Sequence, residues 1–253
     1  MTTALITGAS SGLGAEFADQ LAARGADLVL VARDREALNE TAVRLRERYG
    51  VRVEVLTADL TVSRQLAKVE ARVASTERPV EVVVNNAGFG LPLAFERNDV
   101  DAEVQHLRLH VEASLRLAHA ALGPMLERGH GRIINVASIA AFMPRSTYGA
   151  VKAWLVSFSR WANVRYAPRG VTVTAVCPGF VHTNFHERLG LPPGDEGIPG
   201  FLWLDAPTVV REGLRDAAHG KAISIPSVRY KLIAVLLRLL PASISARIGE
   251  QGC

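Results

Sequence analysis

A doubly wound α/β sandwich, one parallel sheet with helices on both faces, is the fold class this sequence predicts. Short apolar runs rich in β-branched residues recur along its 253 residues. Several are apolar throughout and do not alternate, as strands covered on both faces must be. Segments of helical period separate them, and strand and helix in strict turn imply right-handed crossovers within a parallel sheet.

The elements follow in order. Ala4-Leu5-Ile6 is the first strand. It leads into a stretch where Leu13, Phe17 and Leu21 repeat every fourth residue, closed by the stop signal Arg24-Gly25. Leu28-Val29-Leu30-Val31 is the second strand, and a charged helix covers about 35–48. Further strands fall at 51–55, 82–84, 133–136 and 171–176, with 222–225 as a plausible last one. One domain over 1–253 accommodates them all, since α/β folds of this length often form a single unit. Residues 190–200 are too rich in proline and glycine for helix or strand. They predict a mobile loop over about 184–204, either a lid or a surface excursion. The tail, about 228–249, reads as an apolar helix with Lys231, Arg238 and Arg247.

Composition narrows the function. Net charge is +4, but basic and acidic residues interleave, as in Arg33-Asp34-Arg35-Glu36, so no nucleic-acid footprint is indicated. Cys177 and Cys253, the only cysteines, form neither a disulfide framework nor a metal-ligand spacing, and Cys177 reads as a small buried apolar residue. No metal is expected. The first apolar run is too short for a signal peptide. The longest, 232–240, is broken by Arg238 and falls short of the ~20 residues that span a bilayer. A cytoplasmic protein without membrane association is the expectation.

Gly8, Gly12 and Gly14 follow the first strand and open the first helix. Glycines there let the backbone turn sharply and approach a pyrophosphate, which the helix N-terminus attracts. The position, at the first strand–helix junction, is that of a Rossmann-like dinucleotide site. Arg33 stands just after the second strand, where such folds meet the adenosine ribose. A guanidinium there favours the 2′-phosphate of NADP through a charge-assisted fork, although Asp34 beside it leaves NAD possible. The competing reading of Arg33 is the first solvent residue of the charged helix.

Tyr148 and Lys152 lie four apart at the head of a helical stretch, ten residues after Ser138 closes an apolar strand. An i, i+4 lysine shares the tyrosine's helix face, and its ammonium favours the phenolate over an ordinary phenol of pKa ~10. The tyrosine then gives a proton to a carbonyl oxygen, or takes one from an alcohol.

With these residues on the page, the chain resembles the short-chain dehydrogenase/reductase family. Thr7-Gly8-Ala9-Ser10-Ser11-Gly12-Leu13-Gly14 matches its glycine motif, Asp59-Leu60 the pair bordering the adenine ring, and Asn86-Ala87-Gly88 the run beside the cofactor. Ser138, Tyr148 and Lys152 match the catalytic serine and YxxxK. Pro178-Gly179 with Val181 and Thr183 matches the segment meeting the nicotinamide carboxamide. The resemblance implies a reversible carbonyl reductase using NADP(H) in preference to NAD(H). In it Ser138 holds the carbonyl oxygen and Lys152 also binds the nicotinamide ribose. A cofactor-binding regulator or scaffold without turnover is the alternative.

Two departures stand out. Alignment of residues 107–111 puts His110 where the family has a relay asparagine; imidazole both donates and accepts, and an ordinary helical histidine is the other reading. The stretch between Ser138 and Tyr148 is also shorter than usual for the family, which alters one wall of the substrate site. The resemblance places Phe89, Phe142, Phe180, Phe185, Phe201 and Trp203 in loops on the cofactor's open side; with several facing inward the pocket is apolar and suits a lipid-like, steroid-like or aromatic carbonyl compound, and core packing is the competing use of any one ring. A homodimer or homotetramer is expected through the helix of Tyr148, whose Val151, Leu155, Phe158 and Ala162 share a face with Trp154 and Trp161 close by. Burial against the protein's own sheet is the competing use of that face.

Overall fold

The computed structural model describes residues 2–143, 146–183 and 199–239. Strands β1 (Thr3–Thr7), β2 (Asp27–Ala32), β3 (Val53–Thr57), β4 (Val82–Asn85), β5 (Gly131–Val136), β6 (Val171–Val176) and β7 (Ile223–Ser224) form one sheet. Its order is β3-β2-β1-β4-β5-β6-β7 and every pairing is parallel.

The unbroken apolar runs are explained by the two-fold alternation of side chains along a strand. Leu28 and Leu30 enter one core, together with Phe17 and Leu21 of α1 (Gly12–Ala22), Leu38 and Leu45 of α2 (Arg35–Tyr49) and Leu214 of α7 (Ala206–Ala218). Val29 and Val31 enter the other. There they meet Leu66 and Val69 of α3 (Ser63–Ala74), Leu117 and Met125 of α5 (Ser114–Arg128) and Ala162 of α6 (Thr147–Tyr166). Each residue of β2 from Asp27 to Val31 is therefore buried whichever way it points.

Helix ends follow local chemistry. Asp34 caps α2 by accepting from the Ala37 N–H at 3.1 Å, and Gly50 closes that helix in the left-handed region. Ser146 caps α6, accepting from the Gly149 N–H at 3.1 Å. Between α4 (Val100–Leu107) and α5 the chain makes a π turn, Arg108–Ala113, so three consecutive segments run as one long helix with a widened middle. The third strand begins two residues later than expected, and the last is only two residues long.

The expected pairing face of α6 needs correction. Val151, Leu155 and Ala162 are buried within the protein's own cores, and Phe158 packs partly into one of them. The apolar groups still exposed on this helix are Trp161 and Val164, at 57% and 78%. Cys177 is buried, as expected. The tail helix forms as α8 (Val228–Leu239); its expected continuation, and the proline-rich stretch over 184–198, lie outside the described residues. Among those described, no helix is long and apolar enough to cross a membrane, and no cluster of His, Cys, Asp and Glu is placed to hold a metal ion.

Candidate active site

The chain leaves β1 toward β2 and β3 on one side, then returns to place β4 on the other. The carboxyl ends of β1 and β4 thus diverge, and a crevice opens at this reversal of strand order. A cavity of about 480 Å³ lies there.

Its first wall is the glycine turn, where Gly8, Ser10, Ser11, Gly12 and Leu13 line the cavity. Gly8 has φ +66°, a conformation costly for any residue with a Cβ. Gly14 lies just inside α1, where a Cβ would come within 2.0 Å of the Gly8 carbonyl oxygen and 2.5 Å of Asn86 Nδ2. Asn86 holds this turn from β4: its Nδ2 donates to Thr7 O at 2.9 Å and Gly8 O at 3.3 Å. Thr7 Oγ1 in turn accepts from the N–H groups of Asn86 and Ala87 at 2.9 and 3.0 Å. A tight backbone turn opening a helix at the edge of a roomy cavity fits a dinucleotide pyrophosphate.

Arg33, Asp59 and Leu60 lie beyond this wall, just past the ends of β2 and β3. Arg33 is exposed. Asp34 is engaged as the cap of α2, and the Asp59 carboxylate accepts from Thr61 N–H and Oγ1 at 2.9 and 2.7 Å.

Across the crevice Ser138 follows β5, and Tyr148 and Lys152 occupy the first turns of α6. All three line the cavity, with Gly88, Pro178, Gly179, Val181 and Thr183. Ser138 Oγ accepts from the Ala140 N–H at 3.1 Å, which fixes its rotamer, and a side-chain hydrogen bond joins it to Tyr148. Lys152 is only 4% exposed; its Nζ donates to Val136 O at 2.7 Å and stands 5.4 Å from the centroid of the Tyr148 ring.

The sequence predicts a phenol lowered by the Lys152 ammonium, whereas in the protein alone burial pushes Tyr148 up to about 12, with the Ser138 hydrogen bond partly opposing it. Burial also brings Lys152 down to about 7. The physical reason is that both groups are withdrawn from water, which disfavours the charged form of each.

His110 sits in the π turn, lines the cavity and meets the Tyr148 ring edge-on at 5.8 Å between centroids. Its Nε2 lies 2.8 Å from Phe89 O. The sequence reading missed His106, one turn earlier and equally buried at 1%, whose ring is 4.5 Å from that of His110 and 6.1 Å from that of Tyr148. Burial holds His110 well below the ordinary histidine value and His106 down at about 4, so both are neutral at pH 7. Also missed was a buried polar chain beneath the site. Asn85 Nδ2 donates to Asn135 Oδ1 at 2.9 Å, and Asn135 Nδ2 donates to Ser159 Oγ at 2.8 Å. Polar residues inside apolar strands, such as Asn135, were the available signal.

The aromatic pocket is corrected too. Of the expected rings among the described residues only Phe180 lines the cavity; its other apolar lining includes the aliphatic Leu91, Pro92, Leu93, Ile139 and Met143. Phe89 packs on His106 and His110, Trp203 packs on Phe180 and His182, and Phe201 is largely exposed. Phe185 lies outside the described residues.

A glycine-turn dinucleotide crevice facing a Ser-Tyr-Lys group defines a nicotinamide-dependent oxidoreductase. The comparisons agree: the family model for short chain dehydrogenases matches residues 2–192, and the chain belongs to the short-chain dehydrogenase/reductase family. An oxidoreductase of Staphylococcus saprophyticus is 34% identical over 216 residues, 82% of this chain and 92% of that one. A solved short-chain dehydrogenase from Sphingobium yanoikuyae, in complex with NADPH, superposes with TM-score 0.85 at 34% identity, covering 93% of both chains. A bulky-bulky ketone specific alcohol dehydrogenase from Comamonas testosteroni gives TM-score 0.81 at 31% identity over 95% of each.

Proposed function

We propose that this enzyme reduces apolar ketones or aldehydes with NADPH and oxidises the corresponding secondary alcohols in reverse. The observation that carries the proposal is the Tyr148 phenol, hydrogen-bonded to Ser138, in a cavity that Leu91, Leu93, Ile139, Met143 and Phe180 also line. A bound nicotinamide supplies the hydride. Ser138 orients the substrate carbonyl oxygen, and Tyr148 gives it the phenolic proton, so that the O–H bond of the tyrosine breaks as that of the alcohol forms. Lys152 holds the nicotinamide ribose. His110 then serves the route by which the phenol regains its proton; an unchanged turnover and pH profile in His110→Asn would void a role specific to histidine.

Arg33 supports the NADP preference, because it is exposed past β2 while the neighbouring carboxylate, Asp34, is committed to capping α2. The NADPH complex and the ketone specificity of the two solved relatives point the same way. Titratable side chains on the cavity wall are confined to His110, Tyr148 and Lys152 among the described residues, which disfavours a substrate recognised through its own carboxylate or phosphate. A panel of aldehydes, bulky ketones and 3-oxoacyl thioesters, followed by loss of NADPH absorbance, tests the proposal. Turnover of apolar ketones is expected; no turnover across the panel with tight NADPH binding would favour a regulator of the same fold.

A further inference from the structure

Tyr230 stands outside the cavity wall, on α8, fifty residues from the segment it touches. It is 3% exposed, and its ring fills the space beside Gly179 so closely that a Cβ there would come within 1.9 Å of Tyr230 Cζ. Its hydroxyl does two things at once: it accepts from the Phe180 N–H at 3.1 Å and donates to Leu202 O at 2.7 Å. Phe180 and Leu202 belong to two strands of chain that run side by side. Leu204 N donates to Phe180 O at 2.9 Å, His182 N donates to Leu204 O at 3.1 Å, and Val181 and Leu204 form a parallel bridge. Arg229, next to Tyr230, donates to Phe201 O. One buried phenol therefore ties the C-terminal helix to both arms of this pair, and Gly179, Phe180, Val181 and Thr183 on the first arm line the cavity.

We propose that Tyr230 is a positioning residue for the cofactor site: it sets the depth and angle of residues 178–183 through its ring against Gly179 and its hydroxyl between the two arms. The inference rests on the proposed reading that this segment faces the nicotinamide. A merely space-filling tyrosine would be replaced by phenylalanine at little cost. The geometry predicts otherwise, because loss of the hydroxyl leaves a backbone N–H and a backbone C=O without their partner.

The test compares wild type with Tyr230→Phe and Gly179→Ala by amide hydrogen exchange, NADPH fluorescence titration and thermal melting. In Y230F, exchange should rise about tenfold in peptides covering 178–183 and 200–204 while β1, β4 and β5 keep their protection. NADPH Kd should rise about three- to tenfold. Gly179→Ala, which pushes a methyl group into the ring, should raise Kd at least as much. Unchanged local exchange and Kd in Y230F would overturn the proposal, as would exchange that rises evenly through the sheet with Kd intact. Exchange alone decides whether the phenol ties the two arms, even if no carbonyl compound is reduced. Local exchange that rises with no effect on NADPH affinity in either variant would overturn the cofactor role and with it the assignment of the segment to the nicotinamide.

Discussion

Tyr148 and Lys152 set the chemistry through their protonation states. A phenol held near 12 keeps its proton throughout the neutral range, as a general acid for carbonyl reduction requires. Lys152, near 7, loses its charge as pH rises through neutrality. The free-enzyme profile of kcat/KM for NADPH should accordingly decline above about pH 7, and a profile flat from about pH 6 to 9 would show that no charge on Lys152 is needed. At the other end of the cofactor site, Arg33→Ala should weaken NADPH by about tenfold or more and NADH by less than about threefold, measured by titrating both. Equal losses would remove the 2′-phosphate contact. Tyr148 and Lys152 were legible as a pair because a helix imposes their spacing locally, and Ser138 because it closes an apolar strand. His106 and Tyr230 were not, since their partners at Phe89, Phe180 and Leu202 are reached only after the chain has folded back on itself.

At the scale of elements, the turn from β1 into α1 shows how little space the fold leaves. Gly14→Ala would drive a methyl group against the Gly8 carbonyl and the Asn86 amide, so we expect a loss of about 1–3 kcal/mol in urea unfolding, together with weakened NADPH binding. Full retention of both would mean that the turn has room to relax. The inner strands β1, β2 and β4 were legible as apolar runs because both of their faces are covered. What escaped the sequence was the π turn at 108–113: its residues have ordinary helical preferences, and the contacts of its His110 with Phe89 and Tyr148 arise only in the folded chain. The shared face of α6 was legible as apolar, but periodicity alone did not say whether the sheet or a second copy covers it.

For the whole molecule, the two buried histidines couple folding to pH. Each is held below its ordinary value in the folded state, so the unfolded chain binds more protons as pH falls below about 6.5. Stability must therefore decline from about pH 6.5 down to about pH 4, the window set by His106, by on the order of 3 kcal/mol from that residue. His106→Leu should flatten this slope in denaturant titrations run across the window; an unaltered slope would assign acid sensitivity to other groups. The central claim concerns proton and hydride delivery to one carbonyl carbon and oxygen. Its most direct test is NADPH oxidation by an apolar ketone in wild type and Tyr148→Phe, with NADPH affinity measured in parallel. The account predicts turnover in wild type and, in the variant, a fall of at least about a thousandfold with Kd held within about threefold; a variant that still reduces the ketone at a rate near wild type would contradict it.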